Sequence, residues 1–421
     1  MNFFEELAWR GMLQDHTPGV QEHLDGGMRT GYIGFDPTAP SLTIGNYVQI
    51  MLLTLFQRSG HRPIVLMGGA TGRIGDPSGK DKERELKSYD EIDGNLEHQK
   101  KLIYRFLNFE EGPNRALLVN NYDFYQKMNV LDFLRDVGKT LTVNYMMSKE
   151  SVRKRIETGI SFTEFSYQLL QGYDYQCLFR EHGCTVQMGG SDQWGNITAG
   201  TEFIRKNLGE SAFAMTTPLL TKADGSKFGK SEKGNLWIDD QLTTTYQFYQ
   251  FWINTEDADV LKFLRWFTFL DQDSIAELEQ AHEQAPHQRP AQRALARHMT
   301  ELVHGAAAVS SVEQAATALF GQGDVRALAE DMLRDVFADV PHSSHSKALL
   351  DGAGISLLDL LVDTSLAQSK REAREFLQNG AIAVNGEKAD LERKLNTSDL
   401  LHGHTILLRR GKKNWHATRW A

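Results

Sequence analysis

Five consecutive residues carry the strongest chemical signal in the chain: Lys227-Phe228-Gly229-Lys230-Ser231, two ammonium groups and a hydroxyl around one glycine. A lysine is a point charge on a flexible stem. It suits an anionic ligand whose charge moves during reaction, such as a phosphate ester. The run follows Lys222-Ala223-Asp224-Gly225, a turn signature. Gly225 to Ser231 spells G-x-x-x-G-K-S, one residue short of a P-loop, and no G-x-G-x-x-G run points to a dinucleotide.

Three further clusters hold polar groups at telling spacings. Tyr167, Gln171 and Asp174 stand at i, i+4 and i+7, on one helix face, among Phe162, Phe165, Leu169 and Leu170. Polar groups in such surroundings need partners, so this face is either a structural hydrogen-bond network or one wall of a small polar pocket. Gly189-Gly190-Ser191-Asp192-Gln193-Trp194-Gly195-Asn196 packs a carboxylate, two amides and an indole behind two glycines, which suits ribose hydroxyls and an ammonium group better than a core. Gly75-Asp76-Pro77-Ser78-Gly79-Lys80 with Arg84 sets an acid beside a basic pair: an amino-group and phosphate site, or a solvated turn.

These groups need a scaffold. Thr30–Phe35 reads as a strand ending at Asp36-Pro37-Thr38-Ala39-Pro40, with Ser41 as a cap for a helix over 43–57. Arg62–Met67 is a second apolar strand running into Gly68-Gly69-Ala70-Thr71-Gly72, and Thr185–Met188 a third entering Gly189-Gly190. A helix between continuous apolar strands predicts a parallel βαβ sheet, with ligands at the carboxyl ends of its strands. From about Thr243 the apolar spacing turns helical, and Pro341-His342-Ser343-Ser344-His345-Ser346 reads as a linker before a small separate module. The expected class is α/β: a Rossmann-like catalytic domain over 1–235, an α-helical domain over 236–325, a linker region over 326–352 and a small α+β domain over 353–421.

The net charge of −9 hides an asymmetry: from Leu366 onward there are 11 Lys+Arg against 6 Asp+Glu, a net +5, leaving −14 for the rest. A basic tail on an acidic body suits nucleic acid, although a solvated surface would look the same. Within the tail, Ser369–Phe376 predicts a basic amphipathic helix and Ala381–Val384 a strand ending at the turn Asn385-Gly386. Arg409-Arg410-Gly411-Lys412-Lys413-Asn414-Trp415 groups cations with an aromatic for phosphate contact and base stacking. The only cysteines, Cys177 and Cys184, lack metal or redox spacing, no metal-ligand cluster is visible, and no apolar run is long enough for a signal peptide or membrane span. A reducing cytoplasm is the simplest setting.

Together these segments resemble bacterial tyrosyl-tRNA synthetases. The carriers are Tyr32–Thr38, Gly68–Gly72, Ile160–Tyr167, Gly189–Asn196, Lys227–Ser231 and, in the tail, Ser369–Arg374, Asn379–Ile382 and Val384–Glu387. The resemblance spans nearly the whole chain. It implies tyrosine activation by ATP, with release of pyrophosphate, then transfer to the 3′ end of tRNA-Tyr. A homodimer, an S4-like RNA-binding tail, ATP bringing Mg²⁺ and no tightly bound cofactor are implied with it. Tyr32 and Asp174 would meet the substrate phenol, Tyr167, Asp76 and Gln171 its ammonium, Gln193 its carboxylate side and Asp192 the ribose. Gly45 would seat the adenine, and Gly34, Asp36, Asn46, Gly190, Phe228, Gly229 and Ser231 would complete the ATP site. Lys80, Arg84, Lys227 and Lys230 would surround the pyrophosphate, with Thr38 helping. The resemblance places tRNA contacts on Lys370, Arg371, Arg374, Arg409, Arg410, Lys412 and Lys413.

One signature departs. The family's His-x-Gly-His reads Thr43-Ile44-Gly45-Asn46 here. An Asn amide donates as an imidazole does, but a Thr hydroxyl is shorter and carries no positive charge. The expectation is an active enzyme with a weakened or rebuilt phosphate site at Thr43. Ile33, where the family often has cysteine, would tune ATP affinity. Two alternatives remain open: a tryptophan-specific relative, and a binding-only RNA protein on a synthetase scaffold. Tyr32 with Asp174 argues against the first, and retained Lys227, Lys230, Asp192 and Gln193 against the second.

Overall fold

The computed structural model describes residues 1–78, 85–156, 159–226, 228–231, 234–319 and 324–421, with the backbone alone at Ser151, Lys154, Lys230 and Ser231. The chain forms two compact units, one of Met1–Leu242 with Thr255–Leu295, the other of Thr243–Asn254 with Ala296–Ala421.

The first unit is built on a five-stranded parallel sheet. Its strands are β1 (Thr30–Phe35), β2 (Arg62–Met67), β3 (Leu117–Asn120), β4 (Cys184–Gly190) and β5 (Phe213–Thr217), in the order β3-β2-β1-β4-β5. The apolar β1 and β2 are the buried inner strands that continuous apolar runs predict. Strand order reverses between β1 and β4, so their carboxyl ends frame a crevice. Several helices pack on this sheet. Helix α1 (Ile44–Arg58) follows β1, and a Cβ added at Gly31 would lie 2.9 Å from the Phe56 ring, so glycine there lets α1 lie flush.

Helix α2 (Tyr89–Ile103) starts at Ser88, whose hydroxyl accepts from the Glu91 N–H. Helix α3 (Phe162–His182) carries Tyr167, Gln171 and Asp174. It packs on α4 (Trp194–Leu208) through paired glycines: a Cβ at Gly172 would sit 2.5 Å from Phe203, and one at Gly200 would sit 2.7 Å from Tyr175. Short strands β6 (Lys230–Ser231) and β7 (Gly234–Asn235) pair antiparallel, so the lysine run ends in a small hairpin.

The helical region is not one body. Helix α5 (Thr245–Ile253) belongs to the second unit, whereas α6 (Asp257–Phe267) and α7 (Gln272–Gln284) belong to the first. Nor is 326–352 a linker: it supplies α8 (Glu330–Val336) and β8 (His342–His345) to the second unit. Strand pairing runs through the backbone, so the polar His342–His345 run forms an edge strand, parallel to the last strand of the chain.

That unit holds a sheet of order β10-β9-β11-β12-β8, where β9 is Ile382–Val384, β10 Glu387–Lys388, β11 Thr405–Arg410 and β12 Asn414–Trp420. The β9–β10 turn has Asn385 at φ 48° and Gly386 at φ 90°, the left-handed pair that an Asn-Gly hairpin requires. Both sheet faces are buried. Ile382, Ile406, Leu408 and Trp420 pack with Leu357, Leu361 and Leu377. Leu407, Trp415 and Ala417 pack with Ala315, Leu333 and Val336. Residues 353–421 therefore share a core with helices before them, which corrects the expectation of a separate module.

Candidate active site

A cavity of about 580 Å³ opens at the carboxyl ends of β1 and β4. At one end Tyr32 and Asp174 are both 1% exposed. The Asp174 carboxylate accepts from Asn121 Nδ2 at 2.9 Å and from the Tyr125 hydroxyl at 2.7 Å. The Tyr32 hydroxyl has no hydrogen-bond partner among the described residues. A buried, unpaired hydroxyl costs about 1–3 kcal/mol, and one lining a cavity beside a carboxylate is poised for a ligand hydroxyl. Burial first, and the Asp174 charge second, hold the Tyr32 hydroxyl well above the usual phenol range, so it stays a donor.

A chain of hydrogen bonds runs on from there. Asn121 Nδ2 also donates to Thr71 Oγ1 at 2.9 Å, Thr71 donates to Asp36 Oδ1 at 2.6 Å, and the Tyr167 hydroxyl donates to Asp36 Oδ2 at 2.8 Å. With its proton committed to Asp36, Tyr167 presents lone pairs, which suits an ammonium donor. Asp76 is gripped on three sides: by the Ser78 N–H at 2.9 Å, Gln193 Nε2 at 2.7 Å and Asn196 Nδ2 at 3.3 Å. Gln171 Oε1 is buried without a partner among the described residues and lines the same cavity. Anions and acceptors thus line the wall where an ammonium is expected.

The remaining expected ligands fall into three groups. Gly34, Asp36, Thr38, Gly45, Asn46, Gly190, Asp192 and Phe228 line the cavity, as does Ile33. Lys80, Arg84 and Lys227 lie outside the described residues, Lys230 and Ser231 are placed by backbone only, and Gly229 does not line the cavity. Thr43 does not line the cavity. It is the N-cap of α1, with φ −87° and ψ 167°, in place of the expected Ser41. Its Oγ1 accepts from the Asn46 N–H at 3.4 Å, while Asn46 Oδ1 accepts from the Thr43 N–H at 3.0 Å and from its hydroxyl at 2.9 Å. Thr43 and Asn46 thus form a capping box, which gives this departure from His-x-Gly-His a structural use.

The root of the lysine run lies on the start of α1. The Leu236 N–H donates to the Gly229 carbonyl at 3.0 Å, the Ile44 N–H to the Leu236 carbonyl at 2.9 Å and the Ile238 N–H to the Leu42 carbonyl at 3.0 Å. Gly229 has φ 81°, and a Cβ there would meet Ile44 Cγ2 at 2.9 Å, so both conformation and space demand glycine. Phe228 packs against Phe263 and Phe267 of α6, with centroids at 4.7 and 5.3 Å. Sequence reasoning missed Thr71, Asn121, Tyr125 and Asn196 as site residues. Asn196 stood in the Gly189–Asn196 block and Thr71 in the Gly68–Gly72 run, so both were findable; Asn121 follows β3 and Tyr125 ends the short helix Tyr122–Tyr125 after it, where no motif marks them.

In the second unit Lys370, Arg371 and Arg374 lie exposed on helix α9 (Lys370–Gln378), and Lys412 and Lys413 are exposed at the β11–β12 turn. Lys370 pairs with Asp359 at 2.7 Å. Arg410 donates to the Leu366 carbonyl at 2.7 Å and lies over Phe376, bringing the two cation groups side by side. Trp415 is not a stacking platform. It is 5% exposed, donates its indole N–H to the Leu319 carbonyl at 3.2 Å and carries Arg409 on its ring at 5.0 Å. Among the described residues no helix is long and apolar enough to cross a membrane.

Comparison with known proteins shows the family. Residues 27–321 match the family described as tRNA synthetases class I (W and Y), and residues 332–418 the tyrosine--tRNA ligase SYY-like C-terminal domain. The chain is 51% identical over 426 residues to a tyrosine--tRNA ligase of Porphyromonas gingivalis, with 99% of each covered. It is 49% identical over 418 residues to that of Roseiflexus castenholzii, covering 99% of this chain and 98% of the other. A C-terminally truncated mitochondrial tyrosyl-tRNA synthetase of Aspergillus nidulans matches with a TM-score of 0.69 and 32% identity, over 76% of this chain and 94% of the other. A tryptophanyl-tRNA synthetase of Plasmodium falciparum shares the fold, with a TM-score of 0.54 and 12% identity over 79% of this chain and 87% of the other. The chain belongs to the class I tRNA synthetases, in the tyrosine--tRNA ligase family.

Proposed function

We propose that this tyrosine--tRNA ligase joins L-tyrosine to ATP in the cavity of the first unit and passes it to tRNA-Tyr. The observation that carries the choice of amino acid is the unpartnered Tyr32 hydroxyl beside the buried Asp174 carboxylate. A phenol supplies an acceptor to one and a donor to the other; phenylalanine leaves the Tyr32 hydroxyl unpaired and Asp174 without a ligand donor. The ammonium lies among Asp76, Tyr167 and Gln171, and Gln193 faces the carboxylate. That carboxylate attacks the α-phosphate of ATP, pyrophosphate leaves, and no protein nucleophile is needed. The chain's work is to position the reactants and to stabilise the charge on the transferring phosphate. Gly34, Asp36, Gly45, Asn46, Gly190, Asp192, Phe228, Gly229 and Ser231 hold the nucleotide, and Thr38, Lys80, Arg84, Lys227 and Lys230 surround its phosphates. Mg²⁺ arrives with ATP.

Tyrosine-dependent ATP–pyrophosphate exchange tests this reading, with phenylalanine and tryptophan in parallel. Only tyrosine is expected to support exchange. Faster exchange with tryptophan would reassign the amino acid, and no exchange with intact tRNA binding would make the chain a binding protein.

The buried carboxyl adds a pH signature. Burial pushes the Asp174 carboxyl up to about 7, against the opposing pull of its Tyr125 and Asn121 donors. In the free protein it is therefore protonated below that pH, whereas a bound phenol donor needs it ionised. Tyrosine affinity is expected to rise with pH and level off above about 7, by close to tenfold per unit on the acid side. Calorimetry should show proton release on binding near pH 6, absent in Asp174→Asn. The same raised value means that this group favours the unliganded fold at low pH, a contribution lost as pH rises through about 7. A pH-independent tyrosine affinity would remove Asp174 from the phenol site.

Thr43→His separates the two jobs of that position. Loss of the capping hydroxyl is expected to cost about 0.5–2 kcal/mol of stability. Restoring an imidazole donor is expected to raise the exchange rate by up to about 10²-fold. Thermal melting and exchange read the two effects independently; an unchanged exchange rate would show that threonine is no handicap.

The exposed tail cations and their turn bind tRNA in an S4-like manner. A homodimer is supported by large apolar side chains left exposed between 130 and 162: Val130 at 69%, Leu131 at 73%, Val143 at 59% and Phe162 at 73%. Such a concentration marks a protein contact, and sedimentation measures it directly. The cytoplasm, where tRNA is charged, is the proposed location.

A further inference from the structure

We propose that helix α2 is a positioning strut for the ATP step, gripping both phosphate-side segments from one face. This rests on the activation reaction proposed above. Asn95, His98 and Gln99 stand at i, i+3 and i+4 of α2, neighbours on a single face. Asn95 Nδ2 donates to the Pro37 carbonyl at 3.1 Å, and Gln99 Nε2 to the Ala39 carbonyl at 2.9 Å. These two amides hold the loop that carries Thr38 and leads into Thr43 and α1. Both are buried, Asn95 at 9% and Gln99 at 1% exposure. His98 reaches the other segment: its Nε2 meets Asp239 Oδ2 at 2.5 Å.

Asp239 ends the stretch that leaves the lysine hairpin. The stretch just before it, Leu236–Ile238, is hydrogen-bonded to Leu42 and Ile44. Asp239 is 5% exposed and accepts from the Gln241 N–H at 3.0 Å, so its second oxygen is also committed. Upstream, the hairpin is fastened through Phe228 on α6. The hairpin that follows Phe228 thus leaves an aromatic anchor and returns through the backbone bonds of Leu236–Ile238 to the Asp239 carboxylate, which His98 holds. A buried carboxylate short of one donor would let this return strand shift against α1. A displacement of about 1 Å at a reacting centre can cost around 10²-fold in rate.

His98 and Asp239 are therefore positioning residues, not ligands; neither lines the cavity. The test uses the full-length chain with His98→Ala, Asp239→Ala and both together, each made also in a Lys230→Ala background. The readouts are tyrosine-dependent ATP–pyrophosphate exchange, tyrosine affinity and thermal melting. Each single variant is expected to lower kcat for exchange by about tenfold or more, with tyrosine KM within about twofold. The double variant should lose little beyond either single one, and the His98→Ala loss should shrink when Lys230 is already absent. His98→Gln, which keeps an N–H for the carboxylate, should recover most of the rate. An undiminished kcat in His98→Ala would overturn the strut. So would an equal fold-loss with and without Lys230, which marks a general structural effect. If the parent chain itself shows no tyrosine-dependent exchange, the activation reading fails first, and the two failures are told apart.

Discussion

Trp415→Ala is expected to destabilise the second unit by about 3–5 kcal/mol, the usual cost of emptying a buried tryptophan site. The indole sits in a core with Leu333, Val336 and Leu407, against the Phe337 ring at 5.0 Å, and its N–H holds the Leu319 carbonyl. Removing it opens a cavity and takes the indole donor from the part-buried Leu319 carbonyl, so both penalties fall on one core. A loss of that size is a large fraction of what a typical domain has. The cavity residues all belong to the first unit. Tyrosine-dependent pyrophosphate exchange should therefore persist while tRNA charging falls and an early melting transition appears. Trp415→Phe should recover most of the stability. Lys412→Ala with Lys413→Ala should do the converse, weakening tRNA binding and its salt dependence without an early transition. Full charging by Trp415→Ala would return the residue to the surface role that its cationic neighbours suggested.

That residue shows where the chain was legible and where it was not. Cations beside an aromatic spell an RNA-stacking motif and, equally, the end of a β-hairpin whose aromatic turns inward. The distinguishing signal was present: Ile406-Leu407-Leu408 is apolar at consecutive positions, as a strand buried on both faces must be. A sheet covered on both faces needs a second layer, and Ala315, Ala318 and Leu333 supply it. The polar Pro341–Ser346 run misled for a different reason. Edge strands pair through backbone groups, and Ser343 gains a hydroxyl contact to His416 Nε2 at 3.0 Å that no periodicity records.

In the active site, Tyr32, Asp76, Tyr167 and Asp174 were visible because motif and chemistry coincide there. Asn121 and Tyr125 were not, and Thr71 stood in the Gly68–Gly72 run without a role of its own. Each is an ordinary polar residue whose meaning arises only when β2, β3 and α3 meet in space. Thr43 was read as a missing imidazole because the motif was read as chemistry alone; the backbone shows a helix start that needs a cap.

That reading of Thr43 raises the expected importance of the lysine run. With Thr43 committed to capping, stabilisation of the transferring phosphate falls, in the function proposed above, to Lys80, Arg84, Lys227, Lys230 and Thr38. Loss of one such donor typically costs about 10²–10³-fold in rate. Lys230→Ala is expected at the upper end of that range in tyrosine-dependent exchange. Tyrosine affinity should be unaltered, because Asp174 and Asp76 are held by Asn121, Tyr125, Gln193 and Asn196 and not by the hairpin. The hairpin is anchored at Phe228 and at Asp239, so losing one ammonium leaves its backbone seat in place. The effect should therefore fall on kcat and on the response to pyrophosphate rather than on folding. In a Thr43→His background the same substitution should cost less, since an added imidazole at the head of α1 takes up part of the charge. Near-normal exchange by Lys230→Ala, or an equal loss in both backgrounds, would show that the two segments do not share the phosphate charge.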